Sequence, residues 1–140
     1  MEYISKSLQD TEEFGEKLAT ELGGGDILCL YGELGAGKTS LVKGLARGLG
    51  IRKNVTSPTF ALMNIYDINV KNVNKLVHID TYRLKNEEEL VDIGVEDFLG
   101  QPDTICVIEW PEKIENLLKG MKTKKIEIMH KNGQRIIKIN

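Results

Sequence analysis

The stretch "DILCLYGELGAGKTSLVKGLARGLG", Asp26 to Gly50, changes character twice. Leu28, Cys29, Leu30 and Tyr31 form an apolar run typical of a strand buried on both faces. Gly32, Gly35 and Gly37 interrupt it, and then Leu41, Leu45 and Leu49 recur on one face of a helix that stops at Gly50. Strand, glycine loop and helix in immediate succession leave few folds open. Gly32, Gly37, Lys38 and Thr39 satisfy G-x-x-x-x-G-K-[ST]. Chance supplies that motif in a chain of this length roughly 0.005 times, so a turn that merely tolerates glycine is a poor explanation.

Each residue type in the loop has a chemical use. Glycines let the backbone curl with its N–H groups facing inward, where a β-phosphate fits. The helix that follows adds its positive N-terminal end. Lys38 can bridge β- and γ-phosphate oxygens, and the Thr39 hydroxyl suits Mg²⁺, which takes oxygen ligands. The expected ligand is a nucleoside triphosphate with Mg²⁺.

The rest of the chain fits one domain spanning residues 1–140. A length of 140 residues supports a single core, and 41% hydrophobic with 29% charged residues is ordinary for a globular protein. A net charge of −2 gives no strong field that would steer the chain to nucleic acid or a membrane. Cys29 and Cys106 each lie in an apolar run and read as buried small hydrophobes, without a CxxC pair for zinc. "MEYISKSLQDTEEF" lacks a signal-peptide core and no apolar run is long enough to span a bilayer, so the expectation is a cytoplasmic protein.

The pattern predicts a first helix over "DTEEFGEKLATEL", started by Asp10 with Glu13 as a capping box and ended by Gly23 to Gly25. "TFALMNIYDI" and "KLVHID" read as strands of a hairpin across "NVKNVN". "NEEELVDIGVEDFL" reads as helix interrupted near Gly94, "TICVIEW" as a buried strand, and "PEKIENLLKG" as a short helix entered through Pro111. "KKIEIMH" and "QRIIKI" alternate around "KNG" as a terminal hairpin. The fold class expected is α/β, a P-loop NTPase sandwich. Its sheet is mixed, parallel at the centre with antiparallel margins, and helices cover both faces.

P-loop enzymes need an acid at the end of a neighbouring strand. Asp80 ends "KLVHID" and Glu109 ends "TICVIEW". One would hold Mg²⁺ and the other orient the attacking water, and spacing alone does not assign them. "VTSPTF", Val55 to Phe60, follows the P-loop helix where γ-phosphate-sensing loops are common, with Thr59 among its hydroxyls. His78 reads as a core or edge histidine, and Trp110 as packing beside the site. The basic run "KGMKTKK" reads as a solvated loop, contact with RNA phosphates being the sharper alternative.

"GELGAGKTS", "SPTF", "HIDTYRL" and "IEWPE" occur in that order, and together they resemble the TsaE family, small bacterial P-loop ATPases of tRNA N6-threonylcarbamoyladenosine (t6A) biosynthesis. The resemblance covers nearly the whole chain. It implies that Gly32, Gly35, Ala36, Gly37, Lys38, Thr39 and Ser40 wrap the phosphates of ATP, and that Thr39 and Glu109 hold Mg²⁺. Asp80 and Lys38 would be catalytic, with Tyr82 and Arg83 supporting Asp80 or facing a partner. Ser7 and Thr11 would border the adenine and Arg135 close over it. The family's "DLYR" is "DTYR" here, with Thr81 as a mild departure. The implied partner is the TsaB–TsaD heterodimer, which performs the threonylcarbamoyl transfer while the ATPase supports turnover, so that tRNA is met indirectly. A small-molecule kinase would share the loop but needs an arginine lid, which the sequence lacks. A GTP switch needs N-K-x-D, and "NKLV" has Val77 at the acidic position. A non-catalytic nucleotide-binding scaffold stays open.

Overall fold

The computed structural model describes residues 1–56, 58 and 62–140. In chain order the elements are β1 (Glu2–Ser5), α1 (Leu8–Ala19), β2 (Ile27–Tyr31), α2 (Lys38–Gly48), β3 (Met63–Val70) and β4 (Val73–Asp80). They continue with α3 (Glu88–Asp92), β5 (Thr104–Glu109), α4 (Glu115–Leu118), β6 (Lys124–Lys131) and β7 (Gln134–Ile139). Short 3₁₀ turns at Val95–Asp97 and Pro111–Ile114 precede β5 and α4. The strands among the described residues form one sheet in the order β1-β7-β6-β2-β5-β4-β3. Its centre, β6-β2-β5-β4, is parallel, while β3 on one side and β7 with β1 on the other run antiparallel.

The predicted α/β sandwich is therefore present, with a core on each face. Leu28, Leu30, Leu76 and Val107 pack under Leu41, Val42 and Leu45 of α2 and Leu18 and Ala19 of α1. Ile27, Cys29, Val77, Ile79, Cys106 and Ile108 pack on the other face with Leu90, Val95 and Ile114. Alternate residues of β2, β4 and β5 supply the two cores, as a strand period of two requires. Burial pushes the Cys29 and Cys106 thiols up to about 11 and 12, so both act as hydrophobes.

Two local expectations are corrected and one strand is added. The first helix starts earlier: Ser7 is the N-cap, its Oγ accepting from Asp10 N at 3.0 Å, while Asp10 Oδ2 accepts from Lys6 N at 2.9 Å. Serine with an acid three positions on follows the same capping logic as the predicted Asp10–Glu13 pair, one helical turn sooner. The helix also ends at Ala19, short of the glycines. Finally, β1 was not anticipated from the sequence; it is four residues long and pairs with β7 from the far end of the chain. Both hairpins turn on two left-handed residues, Lys71–Asn72 and Asn132–Gly133, with φ of 49° and 67°, and 53° and 76°.

Candidate functional site

Three adjacent parallel strands end at one edge of the sheet and deliver the chemistry. β2 runs into the glycine loop, β5 ends at Glu109 and β4 at Asp80. In register, Glu109 lies between Leu30 of β2 and Asp80 of β4. Such an edge, outside the carboxyl ends of the strands, is where open α/β sheets place their sites. A cavity of about 250 Å³ opens there, lined by Gly35, Gly37, Lys38, Thr39, Ser40, Asp80, Glu109 and Arg135, with Leu8, Leu34, Tyr82 and Trp110 as its apolar and aromatic wall. Larger cavities exist, of about 760 Å³ on the other side of the loop and about 680 Å³ beyond the C-terminal end of α2. Neither gathers Lys38, Thr39, Asp80 and Glu109, so the smaller one is the candidate site.

The loop is built for close approach. Gly37 is the N-cap of α2 with φ 109° and ψ 14°, so no side chain caps the helix and its first turn faces the cavity. A Cβ on Gly37 would lie 2.8 Å from both Cδ and Nε of Arg135. Arg135 crosses from β7, and its Nε donates to Ala36 O at 3.0 Å. The arginine thus rests on the loop and lines the cavity with it.

Lys38 is only 5% exposed. Its Nζ donates to Gly32 O at 2.5 Å and stands 3.6 Å from the centre of the Trp110 ring. Burial pulls its pKa down, opposed by the negative charges of Glu109, Asp80 and Glu112. An ammonium held by one carbonyl and a ring face is ready to exchange those contacts for anionic oxygens. Asp80 shows the converse. Burial raises its pKa, Glu109 adds to the rise, and the Tyr82 N–H donated to its Oδ1 at 3.0 Å opposes it, as do His78 and Lys38.

Two residues give the site more than the sequence suggested. His78 Nε2 lies 2.6 Å from Glu109 Oε2, both side chains buried. The signal was present in the spacing: His78 is two positions before Asp80 on the same strand face, but its partner depends on the β4–β5 pairing. Trp110, read as packing beside the site, does so in a left-handed conformation with φ 60° and ψ 49°. Its ring packs at 5.1 Å from that of Tyr82, which is 42% exposed. Lys113 in turn donates to Tyr82 O and lies 5.5 Å over the Tyr82 ring.

The Ser7–Thr11 segment and Arg135 were expected on the adenine side, and of these Leu8 and Arg135 line the cavity. Ser7 is occupied as a helix cap, and the Thr11 hydroxyl is fully buried, 2.6 Å from Ser5 Oγ and 3.3 Å from Ser7 O. Neither lines the cavity; Leu8 reaches it in their place. Arg83 is exposed and away from it. Thr59 and most of "SPTF" lie outside the described residues.

The chain matches the family model described as threonylcarbamoyl adenosine biosynthesis protein TsaE over residues 5–137. This chain belongs to the TsaE family. The tRNA threonylcarbamoyladenosine biosynthesis protein TsaE of Treponema pallidum is 42% identical over 118 residues, covering 84% of this chain and 84% of that protein. The Synechocystis TsaE is 41% identical over 119 residues, covering 84% and 74%. Among solved structures, the crystal structure of Bacillus subtilis YdiB superposes with a TM-score of 0.78 at 30% identity, covering 99% of this chain and 83% of that one. By family, the protein takes part in t6A biosynthesis.

The donor set fits a Mg²⁺ held jointly with phosphate. Thr39, Asp80 and Glu109 bring hard oxygens to one cavity, the ligand type that ion prefers. Among the described residues no group of three or more His, Cys, Asp or Glu could hold a metal alone. Mg²⁺ in such sites takes one or two protein ligands and completes its shell with water and substrate phosphates.

Proposed function

We propose that this TsaE protein binds ATP in the cavity at the start of α2 and hydrolyses it in support of threonylcarbamoyl transfer by TsaB–TsaD. The observation that carries the reading is the convergence of Lys38, Thr39, Asp80 and Glu109 on one cavity beside an uncapped helix N-terminus. The loop from Gly35 to Ser40 would cradle the phosphates with its backbone N–H groups. Lys38 would leave the Gly32 carbonyl and the Trp110 ring for β- and γ-phosphate oxygens. Thr39 and Glu109 would hold Mg²⁺, which supplies charge neutralisation on those phosphates. Asp80 would orient the attacking water and take up its proton as the bond from the γ-phosphorus to the bridging oxygen breaks, giving ADP and phosphate.

The apolar rim of the cavity supports a slow ATPase completed by a partner. Leu8, Leu34 and Tyr82 are 55%, 65% and 42% exposed and surround its mouth. Tyr82, Trp110 and Lys38 form a continuous stack from that rim to the phosphate lysine. A cytoplasmic location goes with a tRNA-modifying role, and among the described residues no helix is long and apolar enough to cross a membrane.

The test is calorimetric titration with ATP and GTP, then phosphate release with and without purified TsaB–TsaD. ATP binding that Lys38→Ala abolishes, turnover that Asp80→Ala slows at unchanged binding, and a faster rate with partner are the expected results. Binding without any Asp80-dependent turnover would instead make the protein a nucleotide-binding scaffold.

A further inference from the structure

β4 carries a second polar side chain into the interior, two residues before Asp80. His78 is 1% exposed and Glu109 is 3% exposed, and they come from neighbouring strands to share one hydrogen bond of 2.6 Å. His78 Nδ1 is buried with no hydrogen-bond partner among the described residues. Most buried side-chain polar atoms have a hydrogen-bond partner. This ring leaves one unsatisfied and spends the other on a single carboxylate oxygen. With a carboxylate as neighbour, Nε2 is the protonated nitrogen and donates.

Glu109 needs such a tether. It lies in register beside Asp80, a like charge, and lines the same cavity as the Lys38 ammonium. A glutamate has three side-chain torsions to fix. Left loose, it would swing toward Lys38 and away from Asp80, pairing with the cation that phosphate requires. The His78 donor holds Oε2, which leaves the other carboxylate oxygen to serve the cavity.

We infer that His78 is the positioning residue for Glu109, fixing its carboxylate in the orientation that serves the metal and keeping it from collapsing onto Lys38. This rests on the reading of Glu109 as a Mg²⁺ ligand. His78 acts through Glu109 and touches neither metal nor phosphate. Partners that orient a ligand are commonly worth about 10–100-fold in metal affinity.

The test uses the full chain and a non-hydrolysable ATP analogue. Its affinity is measured with Mg²⁺ and with EDTA, and the ratio gives the factor by which the metal tightens binding. The unfolding midpoint of each variant is recorded alongside. His78→Leu and His78→Asn should reduce the metal factor about tenfold or more, with EDTA affinity nearly unchanged. His78→Gln, whose amide N–H reaches where Nε2–H stood, should recover most of it. The Asn and Gln variants carry the comparison if the Leu variant does not fold, since both are polar and differ only in reach. Glu109→Gln is the reference. If Glu109→Gln removes the metal factor while His78→Leu and His78→Asn keep it and lose only stability, His78 is structural and the inference is overturned with the ligand reading intact. If Glu109→Gln leaves the factor unchanged, the ligand reading falls and takes the inference with it.

Discussion

Trp110 holds a left-handed conformation that costs a bulky residue about 1–2 kcal/mol, and its neighbours explain why it stays there. The buried Thr81 hydroxyl lies 3.1 Å from Glu109 O and 2.5 Å from Trp110 O, bracing the turn that aims the indole at Lys38. What reads as a mild departure in "DTYR" is therefore a brace in this chain. Thr81→Val keeps the shape and removes the hydroxyl, so it should lower unfolding free energy by about 1–2 kcal/mol. Because the chain has one tryptophan, its fluorescence should report the relaxed indole. Thr81→Ser should resemble the parent, and a midpoint unmoved in Thr81→Val would dismiss the brace. Asp80 carries the opposite kind of tension. Its folded pKa lies above the unfolded value, chiefly through burial, so its ionised form destabilises the fold. That penalty is complete above the folded pKa and disappears as pH falls below the unfolded value near 3.8. Asp80→Asn should then raise stability at pH 7, only modestly because solvent screens the half-exposed carboxylate, while impairing hydrolysis. Denaturant titrations should show the gain shrinking toward zero in acid; a gain that grew in acid would refute the sign.

At the scale of elements, α1 and α2 pack almost backbone to backbone. A Cβ on Gly44 would sit 1.9 Å from Glu12 O, one on Gly15 2.4 Å from Leu41 O, and one on Gly48 2.6 Å from the Ala19 Cβ. Contact this close means alanine cannot be absorbed by a rotamer change. Gly44→Ala gains about 1 kcal/mol of helix propensity but forces the helices apart, so the net expectation is a loss of about 1–3 kcal/mol. Gly23, with open space around it, is the control: Gly23→Ala should be neutral or slightly stabilising in the same denaturation experiment. These contacts mark where the sequence stops being legible. The buried strands could be read because β2 and β5 are apolar on both faces, and the loop could be read because its glycines, Lys38 and Thr39 occur at fixed spacing. The leucines of α2 also declared a helix. Gly44 and Gly48 carried no local signal of what they touch, since their partners are on α1. His78 likewise looked like core because its use depends on which strand pairs with β4. The hydrogen bonds that tie Ser7 to Asp10 and Thr11 to Ser5 were also not legible, because they depend on where the first helix starts.

The two ends of the chain meet at the site, and that gives the whole molecule a testable coupling. β1 adds to the sheet edge beyond β7, with Ser5 paired to Arg135, the residue that bonds Ala36 O and rests on Gly37. Four residues too short to stand as a strand alone thus help seat an arginine at the mouth of the cavity. On the proposed reading, ordering of the N-terminal strand and nucleotide affinity should be linked. Deleting residues 1–5 removes the ladder and the Ser5–Thr11 hydroxyl contact, and should cost about 2–4 kcal/mol in unfolding free energy. Arg135→Ala leaves the ladder in place and should cost little stability. Nucleotide linkage separates the two effects, since a ligand at 100 times its Kd adds about 2.7 kcal/mol to the folded state. At one fixed concentration of ATP analogue, that added stability should fall in both variants. Without nucleotide, only the deletion should have a midpoint below the parent's. If the deletion keeps the full nucleotide increment, β1 is an edge cover and nothing more, because Arg135 is then seated by β6 and the loop alone.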